Sequence, residues 1–153
     1  MNLLLDTNII LNIIRAKDFI AAKKFINPDN SLLYISIVSE AEIKSLAIRN
    51  KWGINRLDFL NNFLNTINIV DVDRLSVNIY AEIDAYSQRL SPDFESYPFN
   101  TPRNMGKNDL WIASLAAMLG LTLTTTDADF DHLNGVFVDV KKINQIDFLP
   151  FFK

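Results

Sequence analysis

No cysteine occurs in the chain, and histidine occurs once, at His132. The first absence excludes disulfides, thiolate zinc sites, iron–sulfur clusters and cysteine nucleophiles. The second excludes a multi-histidine metal site built from one chain. No run of residues reaches the uninterrupted apolar length of a membrane span. The apolar N-terminus, Met1–Ile14, lacks a basic flank and carries Asp6 in its middle, so it does not read as a signal peptide; a cytoplasmic location is expected. An excess of positive charge is also missing. Lys and Arg number 15 against 18 Asp and Glu, a formal net charge of −3. Bulk electrostatics would therefore not hold this chain to nucleic acid. A polyanionic substrate would need a local basic patch and bound cations, which could more than offset that deficit at the site.

What is present is a large apolar complement. Of 153 residues, 49% are hydrophobic and 11 are Phe, enough for a sizeable core in a single domain spanning 1–153. Leu3–Leu5 is a short, wholly apolar run of the kind found mid-sheet. Ile9–Ile26 has helical character with a break near Ala16–Asp18, and Asn27-Pro28-Asp29-Asn30 is a turn. Leu32–Ile35 reads as the second strand, followed by a helix that Ser36 can cap and that runs to about Asn50. After Gly53, Leu57, Leu60, Leu64 and Ile67 recur at helical spacing. Asn68–Val72 is a third strand, and Leu75, Ile79, Ile83, Tyr86 and Leu90 form one stripe of a long helix. Ser91–Lys107 is irregular. Asn108 is placed to cap a helix ending at Gly120. Leu121–Thr125 is a strand, Asp129–Leu133 a helical turn and Val136–Val138 a last strand. Strands alternating with helices predict an α/β sandwich on a parallel sheet.

Four acids sit against this apolar pattern. Asp6 ends Leu3-Leu4-Leu5, and Asp127 follows the β-like run Leu121–Thr126. Asp109 has Ile112, Ala113 and Ala116 at i+3, i+4 and i+7, and Glu42 has Val38 and Leu46 at i−4 and i+4. A carboxylate beside apolar surface is costly unless something positive meets it. In a parallel sheet the loops after the strands share one edge, so the four can converge there. Each also has a plainer reading. Asp6 suits a turn or helix cap, Asp109 a helix N-terminus, and Glu42 a capping box with Ser39. Asp127, Asp129 and Asp131 compete to cap the short turn after the strand. Oxygen-only donors point to hard cations, one or two Mg²⁺ or Mn²⁺, and to metal-assisted phosphate chemistry. Thr7, Asn8 and Thr125 are placed to orient ligands or water around such a site. Lys44, Arg49, Lys51, Arg103 and Lys107 are candidate phosphate contacts, and Tyr97 and Trp111 candidate stacking rings.

Four stretches, Leu3-Leu-Leu-Asp-Thr-Asn-Ile-Ile10, Ile35-Ser-Ile-Val-Ser-Glu-Ala-Glu-Ile43, Asn108-Asp-Leu-Trp-Ile-Ala-Ser-Leu-Ala116 and Leu123-Thr-Thr-Thr-Asp-Ala-Asp-Phe130, resemble the motifs of PIN-domain ribonucleases, and most of all the VapC toxins of toxin–antitoxin pairs. Their order and spacing cover essentially the whole chain. The resemblance implies a three-layer fold with a five-stranded parallel sheet. It implies metal-dependent RNA hydrolysis by Asp6, Glu42, Asp109 and Asp127, with Asp129 as the alternative fourth acid. It also implies a small antitoxin that places a basic side chain in the acidic pocket, and homodimers. Ser91–Met105 is longer than the family's usual connection, which marks it as a lid, partner contact or specificity loop. A haloacid-dehalogenase-type phosphatase is the rival enzyme class. It wants a second Asp two residues after the first, where Asn8 stands. A PIN nuclease of RNA processing and a PIN-like module that binds RNA or protein without cutting are compatible with the same motifs.

Overall fold

The computed structural model describes residues 1–153. Five strands, β1 (Leu3–Leu5), β2 (Leu33–Ser36), β3 (Asn68–Val70), β4 (Thr122–Thr125) and β5 (Val140–Lys142), form one sheet in the order β3-β2-β1-β4-β5. Every neighbouring pair is parallel. Six helices connect and cover them: α1 (Thr7–Arg15), α2 (Phe19–Ile26), α3 (Ile37–Arg49), α4 (Ile54–Thr66), α5 (Ser76–Ser87) and α6 (Lys107–Leu119).

The central strand explains the three layers. Successive side chains of a strand point to opposite faces. Leu3 and Leu5 join a cluster with Ile9, Ile10, Ile13, Ile26, Ile43 and Leu60, on the side of α1 to α4. Leu4 and Leu123 join the other cluster, with Ile83, Tyr86, Ile112 and Ala113 of α5 and α6. A strand buried on both faces has no polar alternation, which is why Leu-Leu-Leu reads as mid-sheet. No helix is long and apolar enough to cross a membrane.

The local signals explain most boundaries. Asp18 starts α2 by accepting a hydrogen bond from the Ala21 N–H at 3.0 Å, after the expected break. Ser36 caps α3 through the Val38 N–H at 3.0 Å. Ser39 therefore lies inside the helix, and the Ser39–Glu42 capping box does not form. Gly120 ends α6 with φ of 65°, in the left-handed region.

Four expectations need correction. The last strand is 140–142, not Val136–Val138. Gly135 turns the chain at φ of 75°, and the Val136 and Phe137 N–H groups both donate back to the Leu133 carbonyl, so the apolar triplet is wound into a turn. Phe137 packs at 5.3 Å from the Tyr86 ring, and the polar Val-Lys-Lys segment becomes the edge strand. β3 stops at Val70, two residues short. α5 spans only 76–87, leaving Leu75 and Leu90 at 75% and 77% exposure, off the buried stripe. Asn108 is the second residue of α6 rather than its cap; Gly106 holds that place without a side-chain hydrogen bond.

The C-terminal 3-10 segment Gln145–Phe152 packs on the body: Phe148 is fully buried, and Phe25 meets Phe148 and Phe151 at 5.7 and 5.5 Å. Gln145 and Asn12 exchange reciprocal hydrogen bonds of 2.9 Å. The long segment 91–106 forms an aromatic knot of Phe94, Tyr97 and Phe99 on Tyr86 and His132.

Candidate active site: a carboxylate cluster at the sheet edge

Asp6 leaves β1 and Asp127 follows β4, two strands that lie side by side. α1 and α3 start where β1 and β2 end, and α6 starts at the same edge because its other end leads into the beginning of β4. They bring Asp6 as the α1 cap, Glu42 in the second turn of α3, and Asp109 in the first turn of α6. Helix N-termini at this edge favour negative charge.

Hydrogen bonds fix the acids. Asp6 Oδ1 accepts from the Thr7 N–H at 2.7 Å, and Oδ2 from the Thr125 hydroxyl at 2.8 Å. The Thr125 hydroxyl also accepts from the Asp127 N–H at 2.9 Å, so one side chain ties two acids together. Asp127 Oδ1 accepts from the Asp129 N–H at 2.9 Å, which decides the competition for that cap. The Thr7 hydroxyl donates to Glu42 Oε1 at 3.0 Å and also lies 3.0 Å from Ser39 Oγ. Ser39 thus braces the site instead of capping a helix. Its position three residues before Glu42, one turn back along the helix, is the sequence signal for that role.

One carboxylate oxygen from each of Asp109, Asp127 and Asp129 lies within 4.8 Å of the others. That spacing is close to twice a hard-cation–oxygen distance of about 2.1–2.4 Å. Asp127 and Asp129 thus belong to one cluster, and neither excludes the other. Asp6 is 3% exposed, and its pKa is pushed up from 3.8 to about 6, mainly by burial, with the Asp127 and Glu42 charges adding to it. The hydrogen bonds from Thr125 and Thr7 oppose that rise. Asp109 is pushed up to about 7 by burial first, then by Asp6, Asp127, Glu42 and Asp129. No lysine or arginine answers this charge: the two ion pairs in the chain are Lys44–Glu40 and Lys142–Asp131, both at 2.8 Å. Carboxylates held together without a protein cation, all donating oxygen, suit a divalent hard cation.

The remaining candidates fall apart by position. Lys44 follows Glu42 by two residues, roughly 200° around the helix, and its charge is taken by Glu40; it points away from the cluster. Asn8 is exposed on the first turn of α1. Lys107 is exposed at the first residue of α6, and Arg103 lines a small cleft of about 150 Å³ with Asp129. Arg103 holds its guanidinium 5.9 Å from the Phe99 ring centre. Tyr97 and Trp111 are taken up by protein contacts. The Tyr97 hydroxyl is bonded to the Ser91 backbone, and the Trp111 ring lies 4.3 Å from Tyr80. His132 is half-buried, with Nε2 at 2.7 Å from Ser87 Oγ, and burial lowers its pKa to about 4. It braces the aromatic knot.

In a five-stranded parallel α/β sheet ligands bind outside the carboxyl ends of the strands, and here that edge carries carboxylates and no glycine-rich phosphate-binding turn. The chain belongs to the PIN domain family, whose model matches residues 3–136. Solved structures share the fold. A chain of the VapBC2 structure from Rickettsia felis is 22% identical, with 93% of this chain and 98% of that one covered and a TM-score of 0.72. A chain of VapBC-1 from nontypeable Haemophilus influenzae is 20% identical, covering 93% and 98%, with a TM-score of 0.71. A chain of a toxin–antitoxin complex from Klebsiella pneumoniae is 17% identical, covering 92% and 99%, with a TM-score of 0.64. Among curated proteins no sequence match is found.

Proposed function

We propose that this chain is a metal-dependent endoribonuclease and the toxin of a toxin–antitoxin pair. One observation carries the reading: Asp6, Glu42, Asp109, Asp127 and Asp129, from four separated segments, meet at one sheet edge with no lysine or arginine paired to them.

Asp6 and Asp109 would bind one or two Mg²⁺ or Mn²⁺ ions directly, with Asp127, Asp129 and Glu42 completing the oxygen set. Bound there, such ions supply charge neutralisation at the scissile phosphate and a water acidic enough to attack at neutral pH. The chain's own residues do the positioning. Thr125 keeps one Asp6 oxygen and the Asp127 backbone in fixed relation, and Thr7 holds Glu42, so the acids keep their lone pairs directed into the site. Asn8 at the mouth would orient water or a ribose hydroxyl. Arg103 and Lys107, free of carboxylate partners, would contact phosphates flanking the cut. Lys44 is left out, because Glu40 already takes its charge.

The Klebsiella pneumoniae structure is of a toxin–antitoxin complex, and a fold shared with it supports an antitoxin partner here. A basic side chain from that partner would satisfy the same uncompensated acids and block metal and RNA together. The test is incubation of the purified protein with structured and unstructured RNA in Mg²⁺, Mn²⁺ or EDTA, beside Asp6→Asn. Metal-dependent cleavage lost in the variant is expected. RNA binding without cleavage in any metal would instead assign a binding module, and phosphate release from a small ester a phosphatase.

A further inference from the structure

The acid cluster opens on one side into a cleft of about 620 Å³ between α3 and the start of α6, with Glu42 in its wall. That volume lies within the range of small-ligand sites, about 300–1,000 Å³. Its apolar lining is Val38, Ala41 and Leu46. Besides Glu42, its polar groups are Ser45, Arg49 and Asn108. None of these three side chains makes a hydrogen bond within the chain, and Arg49 has no carboxylate partner.

The lining on α3 is one continuous helical stripe. Val38, Ala41, Glu42, Ser45 and Arg49 recur at intervals of three and four. The core-facing stripe of the same helix is a different one, Ser39, Ile43 and Ala47. On the outer stripe Ala41, Ser45 and Arg49 are exposed, while Val38 and Glu42 are half-buried. The stripe runs from a site carboxylate to a free guanidinium about 10 Å further along the helix axis, from a rise of 1.5 Å per residue.

We propose that this cleft is a nucleotide subsite that selects the residue next to the scissile phosphate of single-stranded RNA. The inference rests on the nuclease reading and adds the substrate feature that it leaves open. An unstacked base lies on Val38, Ala41 and Leu46, the Asn108 amide and Ser45 hydroxyl read its hydrogen-bonding edge, and Arg49 takes the following phosphate. Glu42 fixes the direction, since it belongs to the cleft and to the acid cluster at once. A nucleotide fits this lining better than a protein segment does. Apolar side chains share the lining with groups that both donate and accept, and the one cation stands at the far end, where the sugar–phosphate chain must leave.

The test uses a random-sequence RNA pool, Mn²⁺, and sequencing of the cut ends, with KM and kcat measured on the best-cut oligonucleotide. Arg49→Ala and Asn108→Ala, both at exposed positions, are expected to raise KM about tenfold with kcat held, the size of one lost base or phosphate contact. Asn108→Ala and Leu46→Trp, which fills the cleft, are expected to flatten base preference on one side of the cut only. Arg49→Lys should restore most of the affinity. In parallel, each substitution is placed on Asp6→Asn and RNA affinity is read directly. If the parent does not cleave, the nuclease reading fails, and RNA affinity lost in the cleft variants then marks an RNA-binding cleft with no cut beside it, which overturns selection at the cut as well. Unchanged base preference and unchanged RNA affinity across all three variants overturn the subsite while cleavage persists. The same unchanged values with an altered oligomeric state on gel filtration would assign the cleft to a protein neighbour, which also overturns it.

Discussion

Asp6→Asn should make the metal-free protein more stable at neutral pH while abolishing the proposed RNA cleavage. The Asp6 carboxyl is raised from 3.8 to about 6, chiefly by burial. At 1.36 kcal/mol per pKa unit, ionising it in the folded state costs about 3 kcal/mol relative to the unfolded chain. This figure already contains the two hydrogen bonds that favour the anion. The sign follows directly. Below pH 3.8 both states hold the proton and Asp6 contributes nothing. As pH rises toward 6 the unfolded chain releases its proton first, so stability falls, and above about 6 the full penalty applies. The amide has no charge to bury. It keeps Oδ1 for the Thr7 N–H but sets Nδ2 against the Thr125 hydroxyl, which must turn from donor to acceptor, a loss of about 1 kcal/mol. The net gain is about 2 kcal/mol at pH 8. For a domain of this size that corresponds to a rise in Tm of about 4–8 °C. Thermal unfolding by circular dichroism, in EDTA from pH 4 to 8, measures it. Saturating Mg²⁺ or Mn²⁺ should reverse the ranking, because only the parent chain gains binding energy, about 2.7 kcal/mol at a hundredfold excess over Kd. A variant less stable than its parent at pH 8 in EDTA, or a gain that does not depend on pH, would refute the argument.

Metal-induced stabilisation of the parent should grow from pH 5 to pH 8, since Asp6 and Asp109 still hold protons below about 6 and about 7; a pH-independent Tm shift in titrations with Mn²⁺ would contradict this. Thr125→Val removes the hydroxyl that joins Asp6 to the Asp127 N–H. It should destabilise the protein by about 1–3 kcal/mol in urea unfolding and lower cleavage, with no change in the overall circular dichroism spectrum. Phe148→Ala empties a fully buried position beside Phe25 and should cost about 3–5 kcal/mol. Because the site is untouched, the Tm shift on adding metal should survive in that variant, and its loss would show that the C-terminal segment does more than pack.

Much of the fold is legible in local pattern. Leu-Leu-Leu fits a strand covered on both faces, and Asp18, Ser36 and Gly120 mark helix ends by chemistry that acts within a few residues. The pattern misleads where burial is decided from a distance. Val136–Val138 has the composition of a strand, yet it is wound under the aromatic knot because Gly135 turns the chain and Phe137 has Tyr86 and Phe94 to meet. The polar segment Val140–Lys142 becomes a strand because β4 has an unpaired edge beside it, which no local propensity reveals.

The site divides in the same way. Asp6, Glu42 and Asp109 stand out in the sequence because a charge amid apolar residues is anomalous wherever the chain goes, and the alternation of strands and helices implies that they share an edge. That Asp127 and Asp129 both lie beside Asp109 is visible only in three dimensions, where one oxygen of each comes within 4.8 Å of the others. The bracing by Ser39 and Thr125, the removal of Lys44 by Glu40 and the open face of α3 are likewise tertiary facts. Sequence spacing sets which side of its own helix or strand a residue occupies. Its partners across the sheet edge depend on how separate elements are docked.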